Sequence, residues 1–456
     1  PPAPRPAAAP AAPAAVPDDL AAFDHDLDTL FSGGGLTSDQ AASRARAASP
    51  TVRRRVAELD AAIAQRQAAE LARVPQVRGT ASYTRLSKIT VAPISFEIAG
   101  MPVSFAFPSP LTNAYLAEAQ LVVPLSDYLL RFPALIDTAK LGVEAARIDK
   151  RSSEVGAGQD ARLAYYEWLR ARLQVLIAQR QLVQVQRTLD QVRALAEVQR
   201  LSRADLMRVE AQEAEAEQTV DQLQNLAQLR EEQLRILIGA APGEPLALGE
   251  DIRSDVQVAG AAPLGDLVDT ARRQRLEFKA LDTGIAAKQR QRDAELANSL
   301  PHLSAIGIAD YADPNQRVFP QVDQFKFTWQ VGAQLSWTIN DALVAETTKR
   351  RLSAEANELR ADRQNLENGT RIEVQSAQQA VSLAQHALAT TQKGLAAAEE
   401  SYRVRRELLN AERATAVELV DAETELTRAR IAALNARVDL RVAQAQLNHA
   451  IGNDAK

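Results

Sequence analysis

The feature that most constrains this sequence is an internal duplication that spans almost the whole chain. Residues 119–127 (AQLVVPLSD) match residues 333–341 (AQLSWTIND) at an offset of 214. The segment that ends at Gly239 (LRILIG) matches the one that ends at Gly452 (LNHAIG) at an offset of 213. Because the two halves stay in register over this distance, we expect two copies of one structural unit.

Each copy has the pattern of a helix, a strand, a loop, a second strand and two long helices. The first copy is predicted over residues 36–239, with strands at about 75–86 and 113–125 and long helices at 127–199 and 203–239. The second is predicted over residues 264–452, with strands at about 301–311 and 325–339 and long helices at 341–413 and 415–451. A Pro/Ala-rich leader is predicted at residues 1–20 and a connector at residues 240–263.

The best strand, within residues 325–340, alternates strictly between apolar and polar side chains. Such a strand ordinarily has one face on a protein core and the other in water. Here the rest of each copy has a helical pattern, so no second sheet is available to cover the apolar face. Aromatic residues also lie near both strand ends, as in lipid-facing barrels. We therefore predict a lipid-facing set of side chains: Trp329, Val331, Leu335 and Trp337 in the second copy, and Tyr115 and Leu121 in the first.

Four strands cannot close into a barrel on their own, because the smallest membrane barrels need about eight. Open strand edges are not tolerated in lipid, so several copies must share one barrel. Two copies would give eight strands around a filled interior, and three would give twelve strands around a lumen. The residues alone leave this choice open.

The helices that follow the strands are unusually long. From Asp341 to about Arg413 no proline intervenes, and Ala, Glu, Gln, Leu and Arg dominate. At 1.5 Å per residue such a helix extends on the order of 100 Å. We expect Ser126-Asp127 and Asn340-Asp341 to cap the two helix starts. A coiled coil has the same helical composition, so the strands decide between a channel and a coiled coil.

Charge and residue usage exclude several classes of protein. The formal net charge of -5 argues against a nucleic-acid-binding protein, which would present a basic face. Cysteine is absent, so thiolate chemistry and disulfides are excluded. The histidines lack the spacing of metal ligands, and we find no phosphate loop or nucleophile elbow. We therefore predict no catalytic residue, no metal site, no cofactor and no enzymatic activity.

Three segments, together with the duplication, carry a resemblance to a known family. They are LTSDQAASRARAASP at residues 36–50, SRADLMRVEA at residues 202–211 and TAVELVDAE at residues 415–423. From about residue 36 to residue 452 the chain resembles the outer membrane efflux protein family, the TolC-type channel-tunnels. The resemblance implies a mainly α fold with a membrane β-barrel. Three chains would share a twelve-stranded barrel, four strands per protomer, continuous with a long α-helical barrel.

The resemblance also implies a periplasmic tip, where adaptor subunits dock, at the turns between the long helices: Arg200, Leu201, Ser202, Arg413, Ala414 and Thr415. The family's acidic constriction maps onto Glu418 and Asp421, and a gating carboxylate maps onto Asp205. Threefold symmetry would turn each into a ring of three charges that favours cations. The alternative is that Thr415-x-x-Glu418 is only a capping box, with Ser202-x-x-Asp205 as its looser counterpart.

The function implied by the resemblance is passive export through the Gram-negative outer membrane by a channel-tunnel that extends into the periplasm. Such a channel is the exit duct of a tripartite efflux pump or a type I secretion system. Its expected partners are two further copies (a homotrimer), a periplasmic adaptor (membrane fusion protein), an inner-membrane transporter and outer-membrane lipid, and no nucleic acid. The alternative is a soluble periplasmic coiled-coil adaptor or tethering protein, whose strands would form a small sandwich.

Overall fold

The computed structural model describes residues 18–31, 34–89, 92–105, 111–197, 202–254, 262–411 and 413–455. The helices in these ranges are α1 Asp18–Phe31, α2 Ser38–Ala48, α3 Pro50–Leu71, α4 Leu125–Leu129, α5 Arg131–Glu197, α6 Arg203–Ile238, α7 Leu264–Gln274, α8 Leu276–Asn298, α9 Ile339–Asn410 and α10 Ala416–Ala450. The strands are β1 Gln76–Arg85, β2 Ile94–Ile98, β3 Met101–Phe105, β4 Asn113–Val123, β5 His302–Asp313 and β6 Lys326–Ser336. The leader predicted at residues 1–20 lies largely outside the described residues, and its last three residues begin α1.

The order of elements in the first half recurs in the second. The series α2, α3, β1, β4, α5 and α6 is followed by α7, α8, β5, β6, α9 and α10. Helices α2 and α7 each have 11 residues, whereas α5 has 67 and α9 has 72. Among the described residues, none of the helices is both long enough and apolar enough to pass through a membrane.

The capping role that we predicted for Ser126-Asp127 is wrong. Helix α4 begins after Pro124 without a side-chain cap, and Leu130 separates it from α5. The Ser126 hydroxyl instead accepts a hydrogen bond from the Leu303 backbone N–H at 3.1 Å. The buried Asp127 carboxylate lies 3.1 Å from His302 Nδ1. These two side chains therefore tie the helix start to β5. The predicted cap at Asn340-Asp341 is also wrong, because α9 already begins at Ile339.

One compact unit comprises the described residues of Pro1–Ala57, Ile148–Lys279 and Gln364–Lys456. Its largest apolar cluster lies on one face of α5, where Tyr165, Leu169, Leu173 and Ile177 recur every four residues. These side chains are almost completely buried, against residues of α6 and α10. Burying a large apolar side chain contributes about 1.5–3 kcal/mol, so this stripe is a main source of the unit's stability.

The described part of the connector, residues 240–254, packs into this unit. Leu248 and Ile252 are buried in the α5 cluster. The Glu250 carboxylate accepts hydrogen bonds from the Tyr166 hydroxyl at 3.1 Å and from Arg441 at 2.9 Å. Burial, and then the charge of Glu250, raises the pKa of Tyr166 to about 12. The connector therefore forms part of the core of this unit.

A close backbone approach fixes the connector in place. The Leu36 N–H donates to the Ala247 carbonyl at 2.8 Å, and the Gly249 N–H donates to the Leu36 carbonyl at 2.9 Å. A Cβ atom added at Gly249 would lie 2.0 Å from the Gly35 carbonyl oxygen, which is closer than real Cβ atoms approach. Glycine is therefore required at this position by space, not by its backbone angles.

We expect Gly249→Ala to destabilise this unit by about 1–3 kcal/mol, because the added methyl group forces two backbone segments apart. The matched control is Gly265→Ala in α7, where an added Cβ meets nothing within 4 Å. That change should stabilise the helix by about 0.5–1 kcal/mol. Thermal unfolding followed by circular dichroism checks both. Equal unfolding midpoints in the two variants would contradict the prediction.

The second unit comprises the described residues of Glu58–Arg147 and Ala280–Arg363. Its four long strands form one antiparallel sheet in the order β1-β4-β5-β6. Between β1 and β4, where the sequence pattern predicts only a loop, β2 and β3 form a separate hairpin. No second sheet packs on the four-stranded one among the described strands, so these strands do not form the small sandwich of the alternative hypothesis.

Candidate functional site

The strand register places the predicted apolar positions on one face of the four-stranded sheet. Residues that lie directly opposite each other in antiparallel strands point to the same side. Tyr83 lies opposite Tyr115 in β1 and β4, and Ala309 lies opposite Trp329 in β5 and β6. The apolar and glycine positions on this face are Val77, Gly79, Ala81, Tyr83, Tyr115, Ala117, Ala119, Leu121, Val123, Leu303, Ala305, Gly307, Ala309, Tyr311, Phe327, Trp329, Val331, Ala333 and Leu335, and the polar residues Arg85, Asn113 and Asp313 lie on it at one end of the sheet. The face is therefore continuously apolar across four strands.

This apolar face is exposed in the single chain. Trp329 is 66% exposed, Val331 75% and Leu335 68%, and Tyr115 and Leu121 are also exposed. A soluble protein seldom exposes an apolar patch that is continuous over a whole sheet. The exposure requires a covering, from lipid or from another protein.

Aromatic rings cluster at one end of the same face. The ring centroids of Tyr83 and Tyr115 lie 4.9 Å apart, and Phe325 lies 5.9 Å from Tyr115 and 5.0 Å from Tyr311. At the opposite end, just beyond β6, the Trp337 indole N–H donates to the Ser299 carbonyl at 3.3 Å. Rings with a polar edge at both ends of an apolar band are typical of strands that cross a membrane.

The other face of the sheet carries mainly polar groups. Its residues include Arg78, Thr80, Glu118, Gln120, Asp310, Thr328, Gln330 and Gln334. Glu118 lies directly opposite Asp310, and two adjacent carboxylates need water or a cation nearby to reduce their repulsion. Such a surface suits a water-filled lumen.

Aspartate placed on the apolar face should impair assembly in the membrane. We expect Trp329→Asp and Leu335→Asp to cost about 1–3 kcal/mol each if the side chain lies near the bilayer midplane, because a charge there loses its hydration. The measurement is the fraction of protein in the outer-membrane pellet after urea extraction. Gln330→Asp, on the polar face between the apolar positions, is the matched control and should assemble normally. If all three variants assemble equally well, this face does not contact lipid.

The predicted turn residues form a second site in the other unit, which we call the helix-turn cluster and define as residues 202–208 and 413–421. Ser202 caps α6, where its hydroxyl oxygen accepts from the Asp205 N–H at 3.2 Å. Thr415 caps α10 in the same way, accepting from the Glu418 N–H at 3.3 Å. The two caps occupy matching positions in the two repeats. Arg200 and Leu201 lie outside the described residues.

Each acidic residue of α10 in this cluster contacts an arginine. The Glu418 carboxylate lies 2.6 Å from Arg405 Nη1 of α9, so Glu418 is directed to α9 and does not complete a capping box. The Asp421 carboxylate lies 3.5 Å from Arg208 of α6. Asp205 contacts only the Ser202 hydroxyl among the polar contacts described for its carboxylate, at 2.7 Å. The structure thus gives Glu418 and Asp421 partners from two different helices.

Sequence reasoning did not identify Arg208 and Arg405 as partners of these carboxylates. Arg208 and Asp421 stand 213 residues apart, the repeat offset of this region, so the two repeats carry opposite charges at the same position. That charge reversal was a signal that could have revealed the pair. Ala414 and Arg413 lie in the turn, where the Arg413 N–H donates to the Leu408 carbonyl at 2.8 Å.

Buried contacts support this cluster from beneath. Leu189 and Val192 of α5 pack on Val209 of α6 and Val420 of α10. One turn along α10, the buried Glu423 accepts a hydrogen bond from the Thr188 hydroxyl at 3.0 Å. Buried contacts therefore hold α5, α6 and α10 together next to the exposed carboxylates.

Two of the histidines lie beside carboxylates. His449 Nδ1 lies 2.7 Å from Asp454, and this hydrogen bond raises the pKa of His449. His302 contacts Asp127 in the other unit. Among the described residues, no group of three or more His, Cys, Asp or Glu side chains is arranged to hold a metal ion.

Comparisons with known proteins agree with this geometry. The family model described as outer membrane efflux protein matches residues 41–240, which are 200 of the 456 residues. No curated protein sequence matches the chain. Among solved structures, CusC is 15% identical with a TM-score of 0.74, over 92% of this chain and 94% of that one. The outer-membrane channel OprN is 20% identical with a TM-score of 0.72, over 94% and 91%. VceC of Vibrio cholerae is 16% identical with a TM-score of 0.71, over 91% and 96%.

The fold is therefore that of the TolC-type outer-membrane channels, and the predicted fold class is confirmed. The match to the family model shows that residues 41–240 are similar to the outer membrane efflux protein family, as the sequence motifs predict. These similarities support the predicted efflux channel in the outer membrane of a Gram-negative bacterium, extending into the periplasm.

Proposed function

We propose that three copies of this chain form a passive exit duct for a tripartite efflux pump or a type I secretion system, without catalytic activity. The observation that carries the proposal is the four-stranded sheet, with one continuous apolar face and edges at β1 and β6. Backbone groups at an open edge cannot be left unpaired in lipid. The β1 edge of one copy therefore pairs with the β6 edge of the next.

Three copies fit the polar face better than two. Eight strands would enclose an interior just wide enough for side chains, whereas twelve leave room for water. The charged and amide side chains of the polar face, including Arg78 and Glu118, require that water. A twelve-stranded barrel with a water-filled lumen satisfies both faces of the sheet.

The helix-turn cluster is the proposed constriction and docking region. Glu418 and Asp421, with Asp205 at the matching position of Glu418 in the first repeat, would each become a ring of three carboxylates. A periplasmic adaptor bound at the exposed turns around Ser202 and Thr415 would link the duct to an inner-membrane transporter. The cargo is chosen by that transporter, because a passive duct needs no specific site for it.

We further propose that Arg208 and Arg405 restrain the constriction. Each exposed ion pair is worth about 0.2–1 kcal/mol, so the six pairs of a trimer would contribute about 1–6 kcal/mol to the closed state. This range is small enough for adaptor binding to overcome. Breaking the pairs would also free the Glu418 and Asp421 carboxylates to face permeating ions.

Single-channel recording in planar bilayers tests the proposal. We expect Asp421→Asn and Glu418→Gln to lower the cation-to-anion permeability ratio severalfold in a salt gradient, because each removes three negative charges from the constriction. Arg208→Ala and Arg405→Ala should instead raise the open probability. The matched control is Glu425→Gln, an exposed residue paired only with Arg428 of the same helix among the ion pairs described for it.

Discrete openings with unchanged selectivity in both acidic variants would contradict the carboxylate rings but leave the duct intact. No conductance from the native protein, together with solubility in the absence of detergent, would contradict the duct itself.

A further inference from the structure

Helix α6 carries an uncharged stripe that is exposed along almost the whole helix. The α6 stripe runs from Met207 to Ile236 in steps of three or four residues, and every residue on it is exposed. It includes Met207, Ala211, Ala214, Gln218, Leu229 and Ile236. The charged residues of α6, from Arg203 to Arg235, all lie off this stripe. Because the solvated face of a helix ordinarily carries charges, the stripe has the composition of a surface that packs on another helix.

Helix α9 carries a second stripe of the same kind. The α9 stripe runs from Ile372 to Val404 in steps of three or four residues, and it too is exposed at every position. It contains no Asp, Glu, Lys or Arg, and its members include Ile372, Leu383, Thr390, Gly394, Ala397 and Val404. Leu383 is 71% exposed and Ile372 is 70% exposed. Each of these two helices therefore has one face that nothing in the described part of the chain covers.

The two stripes cannot cover each other within one chain, because α10 lies between the two helices. Gln212 of α6 donates to the Thr424 hydroxyl of α10 at 2.8 Å. Tyr402 of α9 is buried in a cluster with Leu426 of α10. Thr424 and Leu426 are two residues apart, which is about 200° around a helix, so α6 and α9 contact opposite sides of α10. The α9 helix of the same chain therefore does not reach the α6 stripe.

The contacts of α10 also show which residues of α6 and α9 lie level with each other. Thr424 lies level with Gln212, and Glu418, six residues nearer the start of α10, lies 2.6 Å from Arg405 of α9. Because α6 and α10 both run away from the helix-turn cluster, residue 206 of α6 is level with Arg405. Rotation about one axis keeps equivalent residues at the same height, so the α9 helix of a neighbouring copy would pair with α6 in this antiparallel register.

In this register the two stripes match, to within about two residues. The pairs include Met207 with Val404, Ala214 with Ala397 and Leu229 with Leu383. Large apolar side chains therefore meet large ones, and small side chains meet small ones, as in helices that pack closely. The stripes can stay in contact over about 40 Å, the length of helix between residues 207 and 236.

Charges beside the two stripes are complementary in the same register. Lys393, next to Gly394 of the α9 stripe, falls between the levels of Glu217 and Asp221 of α6. At about 100° per residue, all three lie on the same flank of their stripes, the arrangement in which flanking residues of an antiparallel helix pair face each other. Within the described part of the chain, no ion pair involves any of these three side chains. A neighbouring copy would supply the partners.

We propose that the α6 stripe of one copy packs antiparallel on the α9 stripe of the next copy, and that this seam joins the chains along their helices. The proposal rests on the proposed ring of three chains. It adds a joint between helices to the joint between the β1 and β6 edges. The occupant of each stripe is a second copy of this chain.

The absence of cysteine makes disulfide trapping a clean test. The double variant Ala214→Cys/Ala397→Cys, purified in detergent and oxidised, should give covalent dimers and trimers on a non-reducing gel. We expect at least tenfold more than for Ala214→Cys/Ala396→Cys, whose second cysteine is also exposed but lies about 100° away around α9. Ala214→Cys/Leu383→Cys stays on the stripes but is about 20 Å out of register, so it should also give little product. Leu229→Cys/Leu383→Cys is an in-register variant in case the first pair disturbs folding.

Size-exclusion chromatography with light scattering measures the oligomeric state of each variant without oxidation. Trimers in which neither in-register pair cross-links above the Ala396→Cys control would overturn the seam and leave the proposed duct standing. A disulfide within one chain, seen as a faster-migrating monomer in place of covalent dimers, would overturn the seam too. Monomers in every sample, including the native chain, would overturn both the seam and the duct.

Discussion

The backbone groups at the edges of an apolar sheet are the constraint on which the structure depends. The β1-β4-β5-β6 sheet presents an apolar face over all four strands, yet it ends in two edges. In lipid an unpaired N–H or C=O group costs several kcal/mol, so the sheet cannot exist there as an isolated chain. Oligomerisation is therefore a condition for placing this sheet in a membrane at all. The duplication explains how one chain supplies two similar hairpins to a shared wall.

The helical unit obeys a different constraint. Its stability comes from apolar stripes such as Tyr165, Leu169 and Leu173 on α5, which are buried against other helices. This burial is driven by the surrounding water and requires no lipid. The exposed ion pairs of Glu418 and Asp421 add little by comparison. Strong buried contacts below weak surface ion pairs would allow the proposed constriction to change conformation while the helices that carry it stay folded. The caps at Ser202 and Thr415 would be retained during such a change, because each is a hydrogen bond within one helix start.

Several parts of this account were available from the sequence because they depend on local periodicity. The alternation around Trp329 predicted one apolar strand face, and the cap residues Ser202 and Thr415 predicted two helix starts. The register that pairs Tyr83 with Tyr115 and Ala117 with Tyr311 was not available, since it depends on pairing between distant segments. The same is true of the Arg208 and Arg405 contacts. Ser126 and Asp127 were misassigned because a short polar side chain serves equally well as a cap or as a bridge to a neighbouring strand. The hairpin was missed although Ile94, Phe96 and Ile98 alternate with polar residues before an Ala-Gly turn.

The central claim is that one face of the sheet contacts lipid while the other contacts water. Single cysteine substitutions at the adjacent positions Val331 and Gln330 of β6, in the assembled channel, test it most directly. The account predicts that a membrane-impermeant maleimide labels the cysteine at position 330 and not the one at 331, whereas a bimane label on 331 alone is quenched by doxyl lipids. Rapid labelling of both positions by the impermeant reagent, without lipid quenching at either, would contradict it.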